Sequence, residues 1–184
     1  MAKKIKWGII STAKIAETDL IPAINKSKNS ELVAIASRSK EKAKKFAKKN
    51  KVKKFYSSYK KLYEDEKIDV IYNPLPNHLH VNSTINAIKN NKHVLLEKPI
   101  TLKSKDVDLI KKNANKKKKI VKEAFMVRHH SQWQWVKKYI DSKKIGKING
   151  ITTLFSYKNL DPKNIRNIKK FGGGGLWDIG CYAI

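Results

Sequence analysis

Apolar positions along the chain alternate between two rhythms. Short apolar runs at 5–11, 31–37, 69–73, 92–98 and 120–124 are bounded by polar or breaking residues, the pattern of strands buried on both faces. Between them the apolar residues recur three and four apart. Ile15, Leu20, Ile21 and Ile24 share one side of a helix over 12–25, which Pro22 splits or kinks. Ala43, Phe46 and Ala47 form the inner side of a helix over 40–50, with Ser39 as its N-cap. A short strand at 53–56 and a short helix at 58–65 follow. Asn77 is expected to cap a helix over 78–90, whose inner face holds Leu79, Ile85 and Ile88, and a last helix covers 104–115. Strands alternating with helices argue an α/β fold with a parallel sheet.

From about residue 125 the pattern changes. A helix is expected over 131–141, carrying Trp133, Trp135, Val136 and Tyr139. Gly146 turns the chain into an eleven-residue run rich in β-formers, 147–157, which predicts a long strand. A polar stretch, Phe171, four glycines at 172–175 and a final helical segment follow. A strand of that length needs sheet neighbours to bury its faces, so a second sheet is begun and left incomplete. The expected organisation is a nucleotide-binding domain over 1–123 and the first part of a second domain over 124–184.

The chemistry concentrates where strands end. In 92–100 an apolar run meets Glu97 and Lys98 and stops at Pro99. Proline favours an extended residue before it, so Lys98 is held at the carboxyl edge of an inner strand, where open α/β sheets bind ligands. If buried there, a lysine has a pKa that can move toward neutrality and serve proton transfer. The first strand-to-helix turn runs Gly8, Ile9, Ile10, Ser11, Thr12, Ala13, Lys14, Ile15, Ala16. It places small residues, Ser11, Ala13 and Ala16, where a dinucleotide fingerprint has glycines. Two glycines are absent, and an ordinary tight turn fits as well on this motif alone. The second strand ends in Ser37 and Arg38 rather than an acidic residue, which suits a ribose 2′-phosphate and favours NADP over NAD. Another strand ends at Asn73, and Pro74, Leu75, Pro76, Asn77 and His78 form an extended loop after it. His78 and His80, like His129 and His130, lack the partners of a metal site. Asp178 and Tyr182, four apart, share a face if their segment is helical, a plausible proton-handling pair or simply a cap and a core tyrosine.

The charge changes less than it first suggests. The formal net charge is +27, yet 39 of the 42 basic residues are lysine, spread over nearly every segment. The densest run, Lys116 to Lys119, precedes a strand, and no helix interleaves aromatics with charge. This is a compositional bias on solvated faces, with weak, salt-sensitive polyanion binding and no specific nucleic-acid partner. An apolar fraction of 40% supports a packed core. The absence of a long apolar run argues against a membrane partner. One cysteine, Cys181, suits a reducing cytoplasm.

Taken together, residues 7–16, 73–80, 92–99, 123–126 and 172–182 resemble, in order, the glucose–fructose oxidoreductase/inositol dehydrogenase (Gfo/Idh/MocA) family. The final stretch and the run 161–166 look most like the branch holding dihydrodiol dehydrogenases, xylose dehydrogenases and glucose–fructose oxidoreductase. The resemblance implies an N-terminal Rossmann domain for NAD(P), NADP preferred, and a C-terminal α/β domain whose open sheet often pairs subunits into homo-oligomers. It implies hydride transfer between the nicotinamide and a sugar, cyclitol or diol. Lys98, Asp178 and Tyr182 fall on the family's catalytic positions, and Arg128 falls in the neighbourhood that lines the site. Cofactor contacts are implied for Gly8, Ser11, Thr12, Ala13, Lys14, Ile15, Ser37, Arg38, Asn73, Pro74, Leu75, Asn77, His78, Glu97 and Lys98. Family chains are longer, so this one is expected to be a fragment. The alternative reading is a truncated, catalytically weak nucleotide-binding remnant.

Overall fold

The computed structural model describes residues 3–184, which divide into two compact units, one ending at Glu123 and the other spanning Ala124–Ile184. In the first, every expected strand forms: β1 (Ile5–Ile10), β2 (Ser30–Ala36), β3 (Lys54–Tyr56), β4 (Val70–Asn73), β5 (His93–Glu97) and β6 (Val121–Ala124). They make one sheet in the order β3-β2-β1-β4-β5-β6, and the ladders β1–β2, β1–β4, β2–β3 and β4–β5 are all parallel. This is the doubly wound order, whose topological switch point lies between β1 and β4.

Alternation within the strands builds a core on each face of the sheet. Ile9, Ile35 and Tyr72 pack with Ala43, Phe46 and Ala47 of helix α2 (Lys40–Lys49) and with Ile21 of α1 (Ile21–Lys26). Ile10, Ile71, Val94 and Leu96 face the other way, against Leu62 of α3 (Tyr59–Tyr63), Ile88 of α4 (His80–Lys89) and Ile110 of α5 (Ser104–Lys116). Ser39 caps α2 as expected, its hydroxyl accepting from the Lys42 N–H at 3.3 Å.

Local corrections have identifiable causes. The first helix passes through a π turn, Ala16–Leu20, before α1. The Ile21 N–H reaches back to the Ala16 carbonyl, a register shift that carries the chain past Pro22, which has no N–H to give. Asn77 does not cap α4. It opens a separate 3₁₀ turn, Asn77–Leu79, and α4 begins at His80 with no side-chain cap. The inner face of α4 is His80, Ser83, Thr84, Ala87 and Ile88, leaving Ile85 half-buried.

The second unit holds α6 (Ser131–Asp141), where expected, and the short α7 (Gly175–Asp178). The stretch 147–157 forms no strand. No backbone hydrogen bond joins it to another segment among the described residues, and a β-rich sequence without a ladder partner is extended chain only. Its side chains are accordingly open, with Ile151 79% and Leu154 90% exposed. No helix among the described residues is long and apolar enough to cross a membrane.

Candidate active site

Three loops leave the carboxyl edge of adjacent strands in the first unit. The turn after β1 starts at Ser11, whose φ of 84° is left-handed, the conformation for which a fingerprint uses glycine. Its N–H is tied to the Ala36 carbonyl at 2.7 Å, and its hydroxyl accepts from the Ala13 N–H at 3.2 Å. Serine therefore reproduces the glycine turn and repays part of the conformational cost with a local bond. Thr12, Ala13 and Ile15 are half-buried around it and Lys14 is exposed. Helical residues begin at Lys14, so a helix start follows this turn, an arrangement suited to a pyrophosphate.

Gly8 has a different reason to be glycine. It lies inside β1, and a Cβ there would stand 2.9 Å from Ile68 Cδ1 and 3.1 Å from Leu62 Cδ2. Packing of the core beneath the sheet by itself requires it. Beyond β2, Ser37 is buried and its hydroxyl accepts from the Ser39 N–H, while Arg38 is exposed and lies beside the Tyr59 hydroxyl. Burial pushes the Tyr59 phenol up, with the Arg38 guanidinium opposing it.

The loop after β4 is shaped from within. Asn73 is fully buried, its Oδ1 accepting from the Leu75 N–H and its Nδ2 donating to Thr84 Oγ1, both at 3.2 Å. Its side chain thus builds the turn. Pro74 and Leu75 are buried, Asn77 is half-buried and His78 exposed. His80, weighed from sequence as half of a metal pair, is instead fully buried, with its ring nitrogens at 2.7 and 2.8 Å from two backbone carbonyls.

Lys98 follows β5, next to β4 in the sheet, where Leu96 pairs with Asn73. It is half-buried, and its peptide bond to Pro99 is cis. The buried lysine of this stretch is Lys92, 5% exposed, whose ammonium donates to the Asp65 carbonyl at 2.7 Å and the Ile68 carbonyl at 2.8 Å. Burial pushes its pKa down, against the pull of Asp65 and Asp69. It clamps the opposite end of β5, and no spacing in the sequence distinguishes it from Lys98. Glu97 takes the Tyr72 hydroxyl and the Lys98 N–H. Burial raises the Glu97 carboxyl, while those donors and the Lys98 charge oppose the rise. Glu123 accepts from the Ile100 N–H at 2.7 Å and so holds the far side of the Lys98 turn.

In the second unit the glycine run folds back on Arg166. The Gly174 N–H donates to the Arg166 carbonyl at 2.8 Å, and a Cβ on Gly173 would stand 2.5 Å from the same oxygen. This closure brings the Arg166 guanidinium to Asp178, Nε to Oδ1 at 3.0 Å, and the Tyr157 hydroxyl donates to the other carboxylate oxygen. Tyr157 is correspondingly pushed up, first by that bond. The expected common helix for Asp178 and Tyr182 is broken at Ile179, and Tyr182 ends a separate 3₁₀ turn, Gly180–Tyr182. The Tyr182 ring stacks on Phe125 with centroids 5.0 Å apart. It borders a cavity of about 710 Å³ that His130, Trp133 and Phe155 also line. Arg128 is exposed.

Comparison with known proteins agrees with this architecture. Residues 5–125 match the oxidoreductase family with an NAD-binding Rossmann fold, and residues 133–184 match the GFO/IDH/MocA C-terminal domain. The trans-1,2-dihydrobenzene-1,2-diol dehydrogenase of Xenopus tropicalis is 34% identical over 182 residues, covering 97% of this chain and 54% of that protein. The D-xylose 1-dehydrogenase (NADP(+)) 2 of Haloferax volcanii is 33% identical over 179 residues, with the same two coverages. KijD10, a 3-ketoreductase from Actinomadura kijaniata solved with NADP and TDP-benzene, superposes with a TM-score of 0.92 at 33% identity, over 98% of this chain and 55% of that one. The chain thus spans about half the length of the relatives it matches. A six-stranded sheet wound in the dinucleotide-binding order, the turn at Ser11 and these matches converge: the chain belongs to the GFO/IDH/MocA oxidoreductase family.

Proposed function

We propose that this chain carries the cofactor site and the proton-transfer residues of an NADP-dependent oxidoreductase acting on a sugar-, cyclitol- or diol-like substrate. One observation carries the reading: the Ser11 turn, the Asn73–Leu75 turn and Lys98 leave three neighbouring strands at the switch point of the sheet. The units through Glu123 and from Ala124 are read as the cofactor domain and the start of a substrate domain.

The residues present fit a dinucleotide. Ser11, Thr12, Ala13, Lys14 and Ile15 would face the pyrophosphate with a small-residue turn and a helix start. The exposed Arg38, with Ser37, would take the 2′-phosphate of NADP, and NAD is the weaker candidate. Pro74, Leu75, Asn77 and His78 would border the nicotinamide half. Gly8, Asn73 and Glu97 support those loops from inside, and Arg128 is assigned to the site by family position alone. The nicotinamide supplies or accepts the hydride. Lys98 and Tyr182 are each assigned to handling the proton of the reacting hydroxyl; a tyrosine, with an ordinary pKa near 10, is a poor base unless a cation favours its phenolate. Asp178, held by Arg166 and Tyr157, orients the segment that bears Tyr182. KijD10 supports the pair: it has been solved with a lysine changed to alanine and with a tyrosine changed to phenylalanine, and those two positions are separated in its sequence as Lys98 and Tyr182 are here.

The test is NADPH oxidation with aldoses and diketones by the wild-type chain, Lys98→Met and Tyr182→Phe. Each substitution is expected to lower kcat by about 10²–10⁴, the range of general acid–base catalysis. Unchanged rates in both would overturn the assignment. A second reading, nucleotide binding without turnover, draws on the ladder-free stretch 147–157 and its open apolar side chains. NADPH affinity without turnover, together with binding of an apolar dye, is its signature.

A further inference from the structure

The proton-transfer lysine proposed above sits in a turn whose backbone is held at each side by a different residue. Before it, Glu97 is engaged by the Tyr72 hydroxyl. After it, the Ile100 N–H is bound by Glu123. Between these lies the Pro99 carbonyl, and its partner is His80 Nδ1 at 2.8 Å. The other ring nitrogen, Nε2, is 2.7 Å from the carbonyl of Leu75. The two oxygens belong to different loops, one after β4 and one after β5, and His80 reaches both from the first turn of α4.

The ring is fully buried, so no water competes for either contact. A neutral imidazole carries one N–H and donates to one carbonyl; a protonated ring donates to both. Burial pushes the His80 pKa down and the two carbonyls oppose that shift. In either state the ring fills the gap between the loops and hydrogen-bonds at least one of them. Asn73 braces the Leu75 side from below, through the Leu75 N–H and Thr84. The Leu75 and Pro99 turns are therefore referenced to one rigid side chain on a helix rather than to solvent.

We infer that His80 is a positioning residue for Lys98: it sets the spacing between the Lys98–Pro99 turn and the Pro74–Leu75 turn, and with it the place of the lysine over the cofactor cleft. It touches neither cofactor nor substrate and acts through the Pro99 and Leu75 carbonyls. This rests on the reading of Lys98 as the proton-transfer residue. A misplacement of about 1 Å at a reacting centre costs as much as 10²-fold in rate, so a loosened turn shows in kcat before it shows in binding.

The experiment uses the full chain and three forms: wild type, His80→Phe, which fills the space without a donor, and His80→Gln, whose amide NH₂ keeps one. NADPH affinity, substrate KM, kcat per folded molecule and backbone amide exchange are measured for each. For His80→Phe, NADPH affinity and KM are expected within about 3-fold of wild type and kcat 10–100-fold lower. His80→Gln should restore kcat to within about 5-fold. Exchange of the Lys98 and Ile100 amides should quicken at least 10-fold in His80→Phe, while β1 amides keep their wild-type rates. A His80→Phe kcat within 2-fold of wild type, or a His80→Gln as impaired as His80→Phe, overturns the inference. If His80→Phe does not fold, His80→Leu, smaller and equally without a donor, takes its place with the same expected and overturning outcomes. If the wild-type chain binds NADPH yet reduces no aldose or diketone, the proposed function fails, and amide exchange still decides whether His80 fastens the two turns.

Discussion

The two units of this chain are built from sequence of similar apolar richness and reach opposite outcomes. In the first, Ile9, Ile10, Ile35, Leu62, Ile71 and Leu96 are all sealed from solvent. In the second, Trp133, Trp135, Ile151, Leu154 and Leu160 remain from 49% to 90% exposed. The difference is partnership. Each strand of the first unit has a parallel neighbour and helices over it, whereas 147–157, with as much β-propensity as any of them, has no ladder. Apolar sequence becomes a core only when a second surface is there to exclude water with it.

Substitutions sharpen that contrast. The largest expected difference is between two leucines. Leu62→Ala empties a sealed site and should cost about 2–5 kcal/mol of stability. Leu154→Ala, at a site 90% exposed, should change stability by less than about 0.5 kcal/mol and reduce binding of an apolar dye. Equal losses in denaturant unfolding would mean that Leu154 is buried in solution. A smaller effect separates two glycines. Gly8→Ala forces a Cβ to within 2.9 Å of Ile68 and is expected to cost about 1–3 kcal/mol. Gly150→Ala meets nothing within 4 Å and should leave the unfolding midpoint in place. The smallest effect is on pH. Burial lowers the pKa of His80 and of His93, whose Nδ1 accepts from the Ile120 N–H. Both folded-state values lie below the unfolded one, so the unfolded chain takes up protons first as pH falls. The contribution of these residues is complete above about pH 6.5 and declines as pH drops through the folded values. The melting temperature of the first unit should therefore fall below about pH 6.5, and less so in His93→Gln. A midpoint that does not change between pH 7.5 and 5.5 would rule this out.

These outcomes also mark how far a one-dimensional reading reaches. The strand–helix alternation, the Ser39 cap, the turn at Gly146 and the position of α6 were all legible, because residues within a few positions of each other decide them. Pro22 announced a disturbance in the first helix but not its form, since a kink and a π turn both accommodate a missing N–H. The carboxyl edge of the sheet as the place for chemistry was legible too, from breakers that follow apolar runs. What each side chain does at that edge was not. That Asn73 braces its own turn and that Gly8 has a packing reason to be glycine was not in the pattern, and Asp178 and Tyr182, read as neighbours on one helix, lie in separate turns.

By itself, then, the sequence determined the order and type of the elements of the first unit, the parallel sheet they imply and the loops from which a ligand would be held. These follow from backbone sterics and hydrophobic period, both local. The tertiary structure alone decided which of the two lysines flanking β5 is buried, Lys92 and not Lys98, and that His80 joins two loops. Of their partners, Asp65, Ile68 and Pro99 come from 19 to 27 residues away and Leu75 from 5. Burial and hydrogen-bond satisfaction are properties of an assembled interior, so no window of neighbouring residues contains them.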